Sequence, residues 1–481
     1  MKTLRLASPL VAAAALSLTP LSAGAASLLE IYQQALQSDP QIHEAESRRL
    51  AALELAPQAR GLLFPQINAN GSYQTTESEG TRLLQDRGGF LTAPFDGDSD
   101  DSNWTVELRQ TLFRWDQVVG LQQAGMRVSQ AEADYEVAQQ DLIIRVATRY
   151  FDVLAAEDVL TSINADRTAI ARQLEQARQR FEVGLIAITD VQESQAAYDQ
   201  SVASEIGAKR SLATARELLR EITGEYVSEL SAPREELPLN APEPSDEQSW
   251  IDQALTQNLA LVSSRLNEQI ARKEISLRRT SRYPTLDLVA GRRSNDSSGQ
   301  TTIDIPNNPD GPTTFPAEFD QETDYIGVQF NVPIFSGGTT SSRIREAVYL
   351  HRAAREQLLR VSRETERATR DAYLGVLAEI SRVNALKQAV QSSETALEAT
   401  RAGFEVGTRT IVDVLNSQRD LYTAITNYYS ARYAYISNVL SLKQAAGILR
   451  VQDLEEIDRW LEARRRPEDV IAEAEAESGG N

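Results

Sequence analysis

The chain has 481 residues, two histidines and no cysteine. Without thiols it can form no disulfide framework, no thiolate metal site and no lipidated N-terminal Cys. A net charge of −20 argues against nucleic acid or an anionic membrane surface as a partner.

The first residues read as an export signal over 1–25. Lys2 and Arg5 precede an apolar run from Leu10 to Leu18, and Ala23-Gly24-Ala25 supplies small residues of the cleavage-site type. The alternative is a membrane anchor, for which the run is short. Beyond it no run of about 18 apolar residues occurs, so no transmembrane helix is expected. An exported chain with neither a spanning helix nor a lipid anchor is periplasmic, secreted or a β-barrel.

A helical stretch opens the mature chain, and a Pro-led segment follows from Pro65. Ile67, Ala69, Gly71 and Tyr73 alternate with polar residues, and so do Trp104, Val106, Leu108 and Leu112. Period two means strands with one apolar and one polar face. They form a hairpin over about 65–113, with strands of roughly ten residues and a polar loop from about Glu77 to Asp101.

Between Gly125 and Gly184 there is neither Gly nor Pro. As one helix the intervening residues would run about 87 Å. Val153, Leu160, Leu174 and Phe181 fall on one heptad position, and Ala156, Ile163, Ile170 and Ala177 on another, with Arg167 interrupting. A seam this long predicts a coiled coil, with an amphipathic helix on a large globular domain as the alternative. Gly184 suits a left-handed helix cap. Thr189-x-x-Gln192 is a capping-box pattern, so a returning arm is expected from about Asp190 to Thr223. Pro233, Pro238, Pro242 and Pro244 then mark an acidic linker over 232–246.

The chain then repeats itself. Phe181-Glu182-Val183-Gly184 recurs as Phe404-Glu405-Val406-Gly407, and Thr189-Asp190-Val191 as Val412-Asp413-Val414, both 223 residues on. Tyr150 matches Tyr373 at the same offset. A fixed long-range offset means internal duplication. The first repeat covers 26–231, with its tip near 184–190, and the second covers 247–450. In the second a strand hairpin lies over about 284–335, with a loop from about Asn295 to Glu322. A long helix follows, with Val376, Val383, Val390, Leu397 and Phe404 in register, then a tip near 407–413 and a return from about Asp413 to Ala446. The C-terminal segment, 451–481, ends in an acidic tail over Glu468–Glu477 read as disordered.

Four strands with an apolar face suit an outer-membrane barrel; a soluble sheet packed on helices is the alternative. Four strands cannot close a barrel, and open edges are not tolerated in lipid. The chain must therefore oligomerise to pool its strands. Three copies give twelve strands and twelve helical arms, and two copies would also meet the constraint. His43 and His351 read as surface or packing residues, and no catalytic constellation, cofactor site or metal site is expected, so the chain reads as a non-enzyme.

The runs Val183-Gly184-Leu185-Ile186-Ala187-Ile188-Thr189-Asp190 and Val406-Gly407-Thr408-Arg409-Thr410-Ile411-Val412-Asp413 resemble the TolC family of outer-membrane efflux ducts. The resemblance extends from Leu28 to about Gly447. It implies a mixed α and β membrane protein: a homotrimer with one twelve-stranded outer-membrane β-barrel continuous with a periplasmic α-helical coiled-coil barrel. The implied function is an iris-gated exit duct of tripartite efflux or type I secretion, passing drugs, toxic small molecules or secreted proteins. Implied partners are a periplasmic adaptor (membrane fusion protein), an inner-membrane pump of RND, MFS or ABC type, and outer-membrane lipid. Thr189, Asp190 and Arg409 match the family's gate lock. Asp413 matches a constriction carboxylate, and Asn416 stands where the family has a second one. Phe404 stands where the family has a Tyr whose hydroxyl helps lock the tip. Val183, Gly184, Leu185, Val406, Gly407 and Thr408 match the adaptor-docking tips. Asp190 and Asp413 also read simply as first-turn helix residues favoured by the dipole. The remaining alternative is a non-channel periplasmic coiled-coil protein with a structural or adhesive role.

Overall fold

A computed structural model describes residues 25–86, 89–227, 229–234, 236–306 and 308–462. The export signal, apart from Ala25, and the acidic tail lie outside the described residues. In chain order the first half forms α1 (Leu28–Ser38), α2 (Pro40–Leu53), α3 (Leu55–Gly61), β1 (Gln66–Asp86), β2 (Gly89–Phe113), α4 (Trp115–Glu182), α5 (Ile188–Thr223) and β3 (Ala232–Pro233). The second half forms α6 (Glu247–Gln257), α7 (Leu259–Thr280), β4 (Thr285–Ile303), β5 (Thr313–Asn331), α8 (Thr339–Glu405), α9 (Ile411–Ala445), α10 (Val451–Asp458) and β6 (Leu461–Glu462). No helix among the described residues is long and apolar enough to cross a membrane.

The compact units do not follow the duplication. One takes residues up to 42, 139–251 and 369 onward; the other takes 43–138 and 252–368. Each draws on both repeats, because the long α4 and α8 contribute residues to both.

The unit of 43–138 and 252–368 holds a four-stranded antiparallel sheet in the order β1-β2-β4-β5. Register puts Ile67, Leu108, Ala290 and Ile326 in one cross-strand row. Ile67, Ile326, Val328 and Phe330 are more than half exposed. β1 and β5 each carry an outer edge with no partner in the sheet. The strands are 21, 25, 19 and 19 residues long, not about ten. The segments expected as polar loops continue the ladders: Glu77 pairs with Asp98, and Asn295 with Gln321. There both faces carry Asp, Glu, Ser and Thr, so no apolar alternation marks them. At about 3.3 Å per residue such strands reach roughly 60–80 Å, well beyond an apolar band about 25 Å tall. At the start of the sheet's second hairpin, Arg114 grips the buried Asp287 of β4 with two bonds, at 3.2 and 2.8 Å.

The other unit is built on helices. α4 buries Leu142, Val146, Tyr150 and Leu154; α9 buries Tyr435, Ile436 and Leu440; α1 and α10 add Leu28, Ile31, Leu454 and Ile457. Arg167, the interruption in the heptad seam, is paired to the buried Glu205 of α5 at 2.6 Å. Lys209 holds the second oxygen of Glu205 at 2.6 Å, and the pair keeps that carboxyl below the usual range. Asp458, the last residue of α10, adds to the Ser27 cap of α1 by accepting from the Leu28 and Leu29 N–H groups.

The Pro-rich segment 232–246 is held down, so it is not a free linker. Ala232 pairs with Glu462 and Pro233 with Leu461. Tyr373 donates to the Ser245 carbonyl at 2.7 Å and Trp250 to the Pro244 carbonyl at 2.8 Å. Arg432 donates to the carbonyls of Pro233 and Arg234. The duplicate of Tyr373, the fully buried Tyr150, donates to the Ser231 carbonyl at 2.6 Å and the Ala26 carbonyl at 3.1 Å. Both repeats thus use one tyrosine to anchor the chain that crosses their long helix. Tyr150→Phe removes this donor from the Ser231 carbonyl, while the Ala26 carbonyl keeps the Ser231 N–H, and is expected to destabilise the fold by about 1–3 kcal/mol. Thermal unfolding of the detergent-solubilised protein measures this, and an unchanged midpoint contradicts the anchor.

Candidate functional site: the two hairpin tips

Each coiled-coil hairpin turns in five residues, and the two turns share a backbone. Gly184 and Gly407 sit at φ 75° and 79°, the left-handed region where a Cβ is costly. The Leu185 N–H donates to the Arg180 carbonyl at 2.8 Å, and the Thr408 N–H to the Gly403 carbonyl at 2.8 Å. Those six-residue closures match at the offset of 223. The returning helices start at Ile188 and Ile411, two residues earlier than the sequence pattern suggests.

The caps differ. The α9 N-cap is Thr410, whose hydroxyl accepts from the Asp413 N–H at 3.2 Å. The Asp413 carboxylate answers by accepting from the Thr410 N–H and hydroxyl, both at 2.9 Å. That is a complete capping box. The corresponding α5 N-cap is Ala187, which offers no side-chain bond. The box expected at Thr189-x-x-Gln192 does not form, because Thr189 already lies inside the first turn. Asp190 occupies the position equivalent to Asp413 and has no hydroxyl to answer.

The electrostatics follow. The Thr410 backbone N–H, then its hydroxyl, then nearby Arg409 hold the Asp413 carboxyl below the usual range. Within one chain the cap is the main influence on this carboxyl. Thr189 and Arg409 are exposed and Asp190 is partly buried, and among the described residues Asp190 and Arg409 form no ion pair within the chain. Asn416 is exposed one turn beyond Asp413. Val183, Leu185 and Val406 are 70%, 73% and 75% exposed, so both turns present apolar side chains to solvent.

Packing joins the two hairpins behind their turns. Ile411 and Leu415 of α9 bury against Ile170 of α4, with Ala197, Tyr198 and Phe404 around them. Leu174, Ala177 and Val191 form a second cluster that takes in Ile186 and the same Tyr198. The buried Gln418 amide donates to the Asp166 carboxylate at 2.8 Å, tying α9 to α4. Burial pushes the Asp166 carboxyl up, against the effect of that bond. The sequence reading missed Thr410, Gly403 and Gln418. A Thr-x-x-Asp pattern at 410–413 was the available signal for the first. No local pattern marks the other two.

A sheet with a bare apolar face and unpaired edges, followed by paired helical needles, defines an outer-membrane duct with periplasmic coiled coils. The family described as outer membrane efflux protein matches residues 31–225 and 250–448. The outer membrane protein TolC of Vibrio cholerae is 37% identical over 459 residues, covering 95% of this chain and 99% of that one. The alkaline protease secretion protein AprF of Pseudomonas aeruginosa is 28% identical, covering 89% and 86%. The solved structure of the outer membrane protein VceC from Vibrio cholerae shares the fold, with a TM-score of 0.68 at 19% identity, covering 87% and 96%. The chain belongs to the outer membrane efflux protein family. It resides in the outer membrane as an exit duct, with its helices on the periplasmic side.

Installing the missing cap is a direct test of the tip asymmetry. Ala187→Thr is expected to build a box with Asp190 and raise stability by about 1 kcal/mol, the typical worth of a Thr cap. An unchanged thermal midpoint contradicts it. Thr410→Ala should have the opposite effect, with a defined pH dependence. Because the folded Asp413 pKa is depressed, its contribution is present above the unfolded carboxylate value near about 3.9. It disappears as pH falls through the folded value. The difference between wild type and Thr410→Ala should therefore be largest at neutral pH and narrow in acid, as unfolding midpoints recorded against pH would reveal.

Proposed function

We propose that three copies of this chain pool their sheets into one twelve-stranded barrel, and that the helical hairpins form the periplasmic conduit below it. The single observation that carries the reading is the four-stranded sheet with unpaired β1 and β5 edges. Unsatisfied backbone groups in hydrocarbon cost several kcal/mol each, so the edges must meet other edges. In this reading the duct receives cargo from an inner-membrane pump of RND, MFS or ABC type through a periplasmic adaptor. The cargo is drugs, toxic small molecules or secreted proteins, and the outer face of the barrel contacts outer-membrane lipid. The adaptor docks on Val183-Gly184-Leu185 and Val406-Gly407-Thr408, whose exposed apolar side chains suit a partner.

The conduit is held closed at the tips by Thr189, Asp190 and Arg409, with Arg409 of one copy meeting the first hairpin of a neighbour. Asp413 and Asn416 line the constriction. A ring of Asp413 carboxylates, kept ionised by Thr410, favours cations. An exposed Arg–Asp contact is worth about 0–1 kcal/mol, so three give roughly 0–3 kcal/mol. Swinging a gate from 1:99 to 99:1 takes about 5.5 kcal/mol. Buried packing such as Ile170–Ile411–Leu415 must therefore supply much of the closure.

Native mass measurement of the detergent-extracted protein should give a trimer; soluble monomers or filaments would instead favour a coiled-coil structural protein. Because the chain has no cysteine, single-Cys variants read topology cleanly. A Cys at Glu79 or Asp98 should react with an impermeant maleimide on intact cells, and one at Ile326 should not. Equal labelling of all three removes the barrel assignment. In planar bilayers Asp190→Ala should raise conductance modestly without full opening. Asp413→Asn should lower cation preference in reversal-potential recordings, and an unchanged potential removes Asp413 from the constriction.

A further inference from the structure

The two copies exchange their arginines at the tip. At the helix end the first copy has Arg180 and the second has Gly403; in the turn the first has Ile186 and the second has Arg409. The exchange has a spatial reason. Gly403 is helical, so its backbone makes no demand for glycine, but a Cβ there would lie 2.8 Å from Arg409 Cγ and 3.2 Å from Thr408 Oγ1. The Arg409 stem lies across the bare helix end. In the first copy the turn residue Ile186 instead packs against Leu174, Ala177 and Val191. That leaves Arg180 free to reach outward.

Arg180 reaches the other hairpin. Its guanidinium carbon lies 5.2 Å from the centroid of the Phe404 ring, within cation–π range. Among the described residues Arg180 enters no ion pair. Phe404 in turn packs on the Ile170–Ile411–Leu415 cluster, which joins α4 to α9. The ring is therefore fixed on one side by the buried packing and faced on the other by a cation from the first hairpin.

We infer that Arg180 and Phe404 form a clasp that holds the two hairpin tips of one protomer together in the closed duct, with Gly403 the seat that keeps Arg409 beside it. The clasp rests on the gated-duct reading above. It needs an aromatic ring and no hydroxyl at 404, so the Phe in this chain is a working part. Opening that separates the hairpins must break the contact; a motion that carries them together leaves it intact.

The test is a double-mutant cycle read in planar bilayers on the purified trimer. Arg180→Gln keeps most of the stem and removes the charge, and Phe404→Leu keeps an apolar side chain and removes the ring. Each single variant should raise the open-to-closed ratio about two- to fivefold per protomer, as expected for an exposed cation–π contact. The double variant should add nothing beyond Phe404→Leu, whose effect also includes lost packing on the Ile170–Ile411–Leu415 cluster. Arg180→Lys keeps the cation and should stay near wild type. Independent, multiplying effects, or wild-type gating in both single variants, overturn the clasp, as does a loss in Arg180→Lys equal to that in Arg180→Gln. If Phe404→Leu fails to assemble, Arg180→Gln against Arg180→Lys decides alone. Asp190→Ala separates the two ideas. If it opens the duct while Arg180→Gln does not, the clasp falls and the lock stands. If it is silent while the cycle is non-additive, the lock residue falls and the clasp stands. If both are silent, both fall.

Discussion

The unpaired edges of β1 and β5 are the constraint from which the rest follows. Each strand is about twenty residues of backbone with donors and acceptors on one side left open. In water such an edge is an aggregation hazard, and in hydrocarbon it is not viable. Membership of an outer-membrane family therefore carries an architectural requirement: the sheet is a segment of a larger closed surface. The duplication meets that requirement economically, since each copy brings one strand hairpin and one helical hairpin. The exposed apolar row of Ile67, Ile326, Val328 and Phe330 belongs to the same logic. In the proposed barrel it is the outward face, not a defect of packing.

The tips show how one backbone can carry two chemistries. Both turns close with the same hydrogen bond and the same left-handed glycine. One returning helix is capped by Thr410 and Asp413, while the other starts bare at Ala187. A cap of this kind stiffens the first turn and fixes the carboxylate against its own backbone. Asp413 is thus oriented by its own helix end, whereas Asp190 has no such cap partner. The difference between the copies, not their likeness, is where gating chemistry can reside.

Legibility in the sequence was uneven, for identifiable reasons. The two needles were readable because Val153, Leu174, Val376 and Leu397 repeat at heptad spacing without Gly or Pro in the first seam. The parts of the strands nearest the helices were readable because Ile67, Ala69, Tyr73, Trp104, Val106 and Leu108 alternate with polar residues at period two. The outer halves of the strands were not, because Glu77, Glu79, Asp96 and Asp98 face water on both sides and no alternation survives. The first-tip cap was misplaced by two residues, since Thr189 offers the right residue type and only backbone geometry reveals that the helix has already begun. The 232–246 segment has the composition of a free linker, yet Tyr373, Trp250 and Arg432 hold it through its carbonyls. Tyr373 and Arg432 lie 128 and 199 residues from the carbonyls they hold, beyond any local signal.

The sequence by itself determined the duplication, the periods and the punctuation, hence the two hairpins of each type and their order. These are local properties, set by side-chain spacing within a few turns or a few strand residues. Tertiary structure alone decided which carboxylate is spent on a cap, which arginine crosses to the other hairpin, and why position 403 carries no side chain. The arginine contact joins atoms from two different hairpins at 5.2 Å, by helix packing that no single segment encodes, while the cap and the bare position 403 depend on backbone geometry within one turn that residue types alone do not fix.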